Sequence, residues 1–271
     1  MQKQNKIVFT IVITLIITWL LPHWISPETA TNLSQIPSIT LPFGSYHNSN
    51  LLHIVLTAAQ ISLTISFYAL VISTFLCLLI LIVDFYVKFA FVNHILKVAN
   101  YFPRLFILVF FSALLKLHET SQLSIPASFY LIIILGLSGT FFLLAQTYTE
   151  ISKGKKTLYV HFACSLPISK YKIFLRHILR NSITFPISVA KQMRDNIMFI
   201  AVLPFTGVVH LQPEDLGGLI HKYFLQPDAF NEGWWILVFP CLFLVWLILV
   251  FDLLASHLQQ RIFCVDVNVV A

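Results

Sequence analysis

Long runs of apolar residues constrain the fold of this chain more than any other feature. A helix needs about 20 apolar residues to cross the hydrocarbon core of a bilayer, because each residue rises about 1.5 Å and the core is about 30 Å thick. Six stretches reach or approach this length: 7–25, 52–83, 102–117, 129–146, 183–209 and 234–254. The sequence therefore predicts an all-α membrane protein with about six transmembrane helices.

The composition excludes a water-soluble chain. Hydrophobic residues make up 58% of the sequence and charged residues only 10%, whereas soluble globular chains average about 45–50% and about 25%. So few charged side chains cannot cover a surface that faces water. The first apolar run follows Lys3 and Lys6 and no small-residue cleavage site comes after it, so we expect an uncleaved signal anchor.

The basic residues predict how the chain is oriented. Six crossings place both termini on one side, and positive residues accumulate in cytoplasmic loops. With cytoplasmic N- and C-termini, most Lys and Arg residues face the cytoplasm, including Arg104 at the inner boundary of the third span, whereas acidic residues concentrate outside. The cytoplasmic segments are then 1–6, 84–101, 147–182 and 255–271. The net charge of +6 therefore reports orientation, and we expect no nucleic-acid partner.

The segment 147–182 is the longest cytoplasmic piece and has amphipathic patterns. Its first apolar positions recur at helical spacing: Leu158, Phe162, Ala163 and Leu166. Pro167 and Ser169 mark a boundary, because proline disfavours helix in the residue before it and serine can cap the helix that follows. A second amphipathic helix is predicted over 170–179. Spacing alone favours two helices that lie along the membrane surface.

The same segment resembles a known family. Residues 159–181 read YVHFACSLPISKYKIFLRHILRN, which is similar to the cytoplasmic loop of binding-protein-dependent ABC importer permeases, where a pattern close to YVEAARALGAS is followed by RHILPN. His161 stands where the family has Glu, and Pro167 where it has Gly. Shorter matches follow the family's order at 57–63, 102–103, 204–208, 214–219 and 251–254. Together they cover roughly residues 40 to 262 and resemble the second permease subunit of the dipeptide, oligopeptide and nickel group.

The resemblance implies a multi-pass permease of the bacterial inner membrane. Two homologous permease subunits form the pathway, two ABC ATPases drive it, and an extracytoplasmic binding protein delivers peptides or nickel and other metal complexes. The implied domains are an anchor with an external segment (1–50), the permease domain (51–262) and a short cytoplasmic tail (263–271). A coupling helix between spans four and five would contact an ATPase. Its implied residues are Tyr159, His161, Phe162, Ala163, Ser165, Leu166, Pro167 and Ser169.

The sequence predicts a transport subunit rather than an enzyme. It contains no GxxxxGK[ST] run, so any ATP would be bound and hydrolysed by partner subunits, and this chain is expected to hold no cofactor. No HExxH motif or paired intramembrane carboxylate suggests catalysis, and the ten His residues are scattered. We therefore predict neither catalytic residues nor a metal site.

Three charged residues interrupt the fifth span. Lys191, Arg194 and Asp195 stand at i, i+3 and i+4, which places them on one helical face. Ionisable residues at membrane depth are costly and usually face a water-filled cavity or a partner, so these residues could line the translocation path. Alternatively, Lys191 and Arg194 extend to the cytoplasmic headgroups while Asp195 pairs with one of them.

A second functional class remains open. A secondary transporter, or another polytopic membrane protein without ATPase partners, has the same composition. Secondary transporters typically contain inverted repeats with broken helices in both halves. No convincing internal repeat is present in this sequence.

Overall fold

The computed structural model consists almost entirely of helices over the residues that it describes. These residues are 13, 15–16, 18, 20–23, 45–46, 49–87, 92, 96, 104, 106–110, 113, 127–155, 157–165, 169–174, 179, 184–206, 214–225 and 233–270. The helices are α1 (Leu51–Val87), α2 (Ala127–Lys155), α3 (Leu158–Ser165), α4 (Lys170–Ile173), α5 (Thr184–Val202), α6 (Leu216–Leu225) and α7 (Trp235–Val270). Short 3-10 turns lie at Leu21–His23 and Leu203–Thr206, and strands β1 (Ser45–Tyr46) and β2 (Ser49–Asn50) pair antiparallel.

Among the described residues, three helices are long and apolar enough to cross a membrane: Leu51–Tyr86, Ser128–Lys153 and Trp235–Gln260. They match the predicted second, fourth and sixth spans, so the prediction of a helical membrane protein is confirmed. The number of six spans and the orientation stay predictions. The first and third predicted spans lie mostly outside the described residues.

Helix α5 matches the predicted fifth span but is not among those three helices. It begins at Thr184 and ends at Val202, and it contains three charged residues within 19 positions. Charged side chains are costly in hydrocarbon, so α5 depends on neighbouring helices more than the three apolar helices do. It packs against α1, α2 and α7.

Contacts between the helices fix their relative directions. Gly136 on α2 packs against Ile72 on α1, and Ile151 lies in one cluster with Leu81 further along both helices, so α1 and α2 run in parallel. Gln192 of α5 lies beside Ser73 of α1 at Gly139. Asn196, further along α5, donates to the carbonyl of Ser66, which comes earlier in α1, so α5 runs antiparallel to α1. Two parallel helices in succession require a crossing between them, and the described helical residues of 104–110 lie in that interval.

The bundle has two distinguishable ends. At the Leu51 end, where α1 begins, the first residues of α7 share a hydrophobic cluster with Leu51 and α6. At the Val87 end, where α1 and α2 finish, a second cluster includes residues of α3 and α4. A third cluster between them includes Ala69 and Leu135. The positive-inside pattern predicts that the Val87 end is cytoplasmic.

Helices α1 and α7 carry bulky apolar side chains on the outside of the bundle. Those at least 46% exposed are Phe67, Tyr68, Val71, Phe75, Leu79, Tyr86, Leu242, Val245, Leu249 and Leu253. Such a continuous apolar surface is unfavourable in water but matches the hydrocarbon of a bilayer. These faces are therefore the lipid-facing sides of the bundle.

The first turn of α6 contacts both α1 and α5. The Leu216 amide donates to Ser62 Oγ of α1 (3.1 Å), and a Cβ added to Gly217 would lie 2.5 Å from the Ala201 Cα of α5. Only glycine permits this approach of two backbones. Asp215 caps the helix, because its carboxylate oxygens accept from the Gly217 and Gly218 amides, both at 3.2 Å.

Candidate functional site

Helix α5 carries two polar stripes on different faces. The neutral stripe consists of Ser188, Gln192 and Asn196, which follow each other at four-residue intervals and are at most 3% exposed. The charged stripe consists of Lys191, Arg194 and Asp195, which are all partly exposed. The structure therefore pairs Arg194 with Asp195, whereas no ion pair among the described residues includes Lys191. It also adds a buried stripe that the sequence analysis did not identify.

Two residues of the charged stripe, Arg194 and Asp195, form an ion-pair network with Asp252 of α7. Arg194 donates from Nε and Nη2 to Asp195 Oδ1, at 3.0 and 2.9 Å, and from Nη1 to Asp252 Oδ1 at 2.6 Å. The side chains of Arg194, Asp195 and Asp252 are 30%, 17% and 48% exposed. Because it remains partly open, this network can meet water, headgroups or a partner subunit.

Arg104 connects the described part of the third span to the neutral stripe. Its Nη2 donates to Asn196 Oδ1 (2.6 Å) and to the Leu135 carbonyl (3.3 Å), and its Nε donates to Ser138 Oγ (3.3 Å). The guanidinium lies over the Phe199 ring, 4.8 Å from its centroid, which is a cation–π distance. Three helical segments therefore meet at one cation.

The depth of Arg104 can be compared with its predicted place at the inner boundary of the membrane. Its partner Ser138 stands ten residues after Ser128, the start of a candidate span, or about 15 Å into the helix. Since a crossing covers about 30 Å, Arg104 lies near mid-depth. The side chain turns toward polar groups inside the bundle, and the placement of Arg104 at the inner boundary stays a prediction.

Several buried polar atoms near Arg104 have no hydrogen-bond partner among the described residues. They are Arg104 Nη1, Ser66 Oγ, and both Nε2 and Oε1 of Gln192. Gln192 is fully buried, and its Nε2 packs directly over Gly139 of α2. Unsatisfied buried polar atoms are costly, so each of these atoms requires an explanation.

The predicted coupling segment folds as two short helices at the Val87 end. Helix α2 extends to Lys155, so 147–155 is helix rather than loop. Helix α3 covers Tyr159, His161, Phe162, Ala163 and Ser165 of the predicted contacts. Leu166 and Pro167 lie outside the described residues. The Ile173 amide donates to the Ser169 carbonyl (3.2 Å), so Ser169 directly precedes α4, at the predicted cap position.

The two sides of α3 have different surroundings. Val160 and Ala163 are 4% exposed and pack with residues of α1, α2 and α4. Leu158 and Phe162 are 87% and 66% exposed, and Ser165 is also exposed. Ala163 therefore faces its own chain, and the side available to a partner consists of Leu158, Phe162 and Ser165.

Helix α4 ties the coupling segment to the end of α1. Ile173 and Phe174 are fully buried, and the Phe174 ring lies 5.7 Å from the Phe85 ring of α1. Tyr171 is half exposed on the outside. A force on α3 or α4 would therefore reach α1 and α2 through packed side chains.

A groove of about 440 Å³ opens at the Leu51 end between α1 and α6. Its lining includes His53, Thr57 and Glu214, and Glu214 pairs with Lys222 at 3.0 Å. Nearby, burial raises the pKa of the Asp215 carboxyl from 3.8 to about 6, against the lowering effect of the Gly217 and Gly218 amides. Asp215 therefore titrates in a mildly acidic range.

Within the described part of the chain, no three His, Cys, Asp or Glu side chains come close enough together to hold a metal ion. The polar groups brought together are instead guanidinium, amide and hydroxyl groups, with two carboxylates engaged by Arg194. Such donors suit anions and hydrogen-bonding solutes.

Comparisons with known proteins show the fold. No protein-family model and no curated protein matches the sequence. A chain in the crystal structure of an amino acid ABC transporter with histidines is similar, with a TM-score of 0.55 and 13% sequence identity over 77% of this chain and 94% of that chain. At this identity the likeness supports a shared architecture.

Proposed function

We propose that the chain is the permease subunit of an ABC importer and forms half of its translocation pathway. The observation that carries this proposal is the position of α3, which anchors Ala163 against the bundle and turns Phe162 outward. The architecture shared with a chain of an ABC transporter supports it, as does the family-like sequence of 159–181. The proposed partners are a second permease subunit, two ABC ATPases and an extracytoplasmic binding protein in the bacterial inner membrane.

The outward side of α3 is the proposed ATPase contact. Leu158 and Phe162 lie beyond the last residue of the candidate span that ends at Lys153, so lipid is not their natural surrounding. Bulky apolar side chains exposed in such a place are typical anchors for a protein partner. When the ATPases close on ATP, the displacement of α3 passes through Val160 and Ala163 to α1 and α2.

The test is purification of the full chain from its native membranes in mild detergent, with measurement of ATP hydrolysis per permease. We expect ATPase subunits to copurify, and Phe162→Glu to lower their recovery by about tenfold or more, because it places a charge in an apolar contact. Gln259→Glu adds the same charge at an exposed position of α7 and is the matched control. Unchanged recovery with Phe162→Glu would overturn the docking assignment, and a chain without ATPases would favour a secondary transporter.

The charged stripe is the proposed lining of the pathway. Arg194, Asp195 and Asp252 form a partly open network at membrane depth, where water or a second subunit can reach it. Asp195→Asn is expected to change uptake while ATPase recovery stays normal. Normal uptake in this variant would contradict the assignment.

The proposed substrates are peptides or complexes of nickel or other metals. The resemblance to the dipeptide, oligopeptide and nickel group supports both classes. Uptake of a radiolabelled dipeptide and of radiolabelled nickel, compared in a deletion strain with and without the restored gene, distinguishes them.

A further inference from the structure

Arg104 has a positive charge that no described carboxylate contacts. Its hydrogen-bond partners and the two aromatic rings beside it are neutral. Asp195 acts on it only through space, and that carboxylate is already bound to Arg194. An ion near mid-depth is stable only with compensating charge or hydrogen bonds. Among the described residues, the charge of Arg104 is therefore not balanced by a paired carboxylate.

Unsatisfied polar atoms belong to Arg104 itself and to Ser66, which is linked to it through Asn196. Asn196 accepts from Arg104 and donates to the Ser66 carbonyl, so these three residues form one connected group. Within it, Arg104 Nη1 and Ser66 Oγ have no partner among the described residues. These atoms offer hydrogen-bond donors that the chain itself does not use.

Gln192 belongs to this group by two independent links. It precedes Asn196 by one turn of α5, so their Cβ atoms are about 5–6 Å apart. Its amide packs over Gly139, the residue next to Ser138, which accepts from Arg104. Both Nε2 and Oε1 of Gln192 are buried without a partner among the described residues, so its amide is a further unused polar group beside the residues that bind Arg104.

We propose that Arg104, Gln192 and Ser66 form a binding site for the carboxylate group of a singly charged solute. The unused groups are mainly donors: the Nη1 hydrogens, the Gln192 amide hydrogens and the Ser66 hydroxyl. A carboxylate accepts from several donors at once and binds guanidinium groups strongly. A single uncompensated cation matches a monoanion rather than a dianion. Because the site is defined by atoms of this chain alone, it does not depend on the proposed transport function.

The experiment measures thermal unfolding of the full chain in lipid nanodiscs, with acetate as the probe. Acetate replaces chloride at constant ionic strength, and sulfate is the dianion in a parallel series. We expect a saturable rise in Tm of about 3 °C with acetate, and a smaller or no rise with sulfate. Arg104→Gln and Gln192→Leu should abolish the acetate response. Lys222→Gln removes an exposed cation from its pair with Glu214 and should keep it.

Gln192→Leu keeps the test decisive if Arg104→Gln fails to fold. It removes two buried unsatisfied atoms at similar volume, so its Tm without acetate should be no lower than that of the wild type. The proposal is overturned if acetate gives no saturable rise, which would indicate a site filled by water. It is also overturned if Gln192→Leu keeps the response, or if sulfate stabilises as strongly as acetate.

Discussion

Helices α5 and α7 pack against each other but meet their surroundings in opposite ways. The outer positions of α7 are apolar and more than half exposed: Leu242, Val245, Leu249 and Leu253. Helix α5 buries Gln192 and Asn196 completely and uses Arg194 to reach α7. Lipid stabilises the first helix, whereas the second depends on internal polar partners. Helix α5, which is not among the three candidate spans, is thus the helix that contains the buried polar residues and the ion pair with α7.

Asn196→Leu has the largest expected effect on stability and tests the difference between α5 and α7. The change removes an acceptor of Arg104 and the donor to the Ser66 carbonyl, and should lower the free energy of unfolding by about 3 kcal/mol or more. Leu249→Ala on α7 should change it by about 0.5 kcal/mol or less, since that side chain is 53% exposed. Unfolding titrations with a denaturing detergent measure both. Equal losses would contradict the difference between the helices.

Gly217→Ala tests the close packing at the end of α5. The added Cβ would meet the Ala201 backbone at 2.5 Å, so the free energy of unfolding should fall by about 1–3 kcal/mol. Gly218→Ala is the control, because its Cβ would meet a side-chain oxygen of Asp215 at 3.0 Å rather than backbone. Thermal unfolding of both variants compares them, and equal Tm values would show that α6 does not pack tightly on α5.

Arg194→Gln tests how much the ion pairs between α5 and α7 contribute to stability. It breaks the ion pairs with Asp195 and Asp252, which are only partly buried, so the expected loss is about 1 kcal/mol. Lys222→Gln removes a cation from the more exposed pair with Glu214 and should cost less. A loss as large as that of Asn196→Leu would mean that the charged stripe, not the neutral one, holds α5.

The last expected effect is a pH dependence at the cap of α6. Because the pKa of Asp215 is raised to about 6 in the folded chain, the folded state binds the proton more tightly than the unfolded state does. Stability from this group is therefore complete below about pH 3.8 and falls as pH rises through about 6. Asp215→Asn should flatten the dependence of Tm on pH in this window. An unchanged slope would remove Asp215 as its source.

Much of the fold follows from local sequence. Long apolar runs predicted α1, α2 and α7 to within a few residues at their starts, because a bilayer imposes a length on such runs. Helical spacing also predicted α3, but it could not show that Ala163 faces inward while Leu158 and Phe162 face outward. Both sides are apolar, and only the packing against α1 and α2 distinguishes them.

The centre of the candidate site could not be predicted in this way. Arg104 binds Ser138 and Asn196, which are 34 and 92 residues away in sequence. Asp252 likewise lies 58 residues from Arg194. Local patterns carry no information about partners at such separations, although a single Arg within the apolar run 102–117 was a signal that a polar partner must exist.

Thiol labelling in membrane vesicles tests the central difference between α5 and α7 most directly. In a chain with Cys77, Cys164, Cys241 and Cys264 replaced, a single cysteine is introduced by Asp195→Cys or by Leu249→Cys, and a charged, water-soluble reagent is added. Thiolates react only where water reaches them, so Cys at 195 should label at least about ten times faster than Cys at 249. Equal rates, or protection of 195 with labelling of 249, would contradict a polar α5 beside a lipid-facing α7.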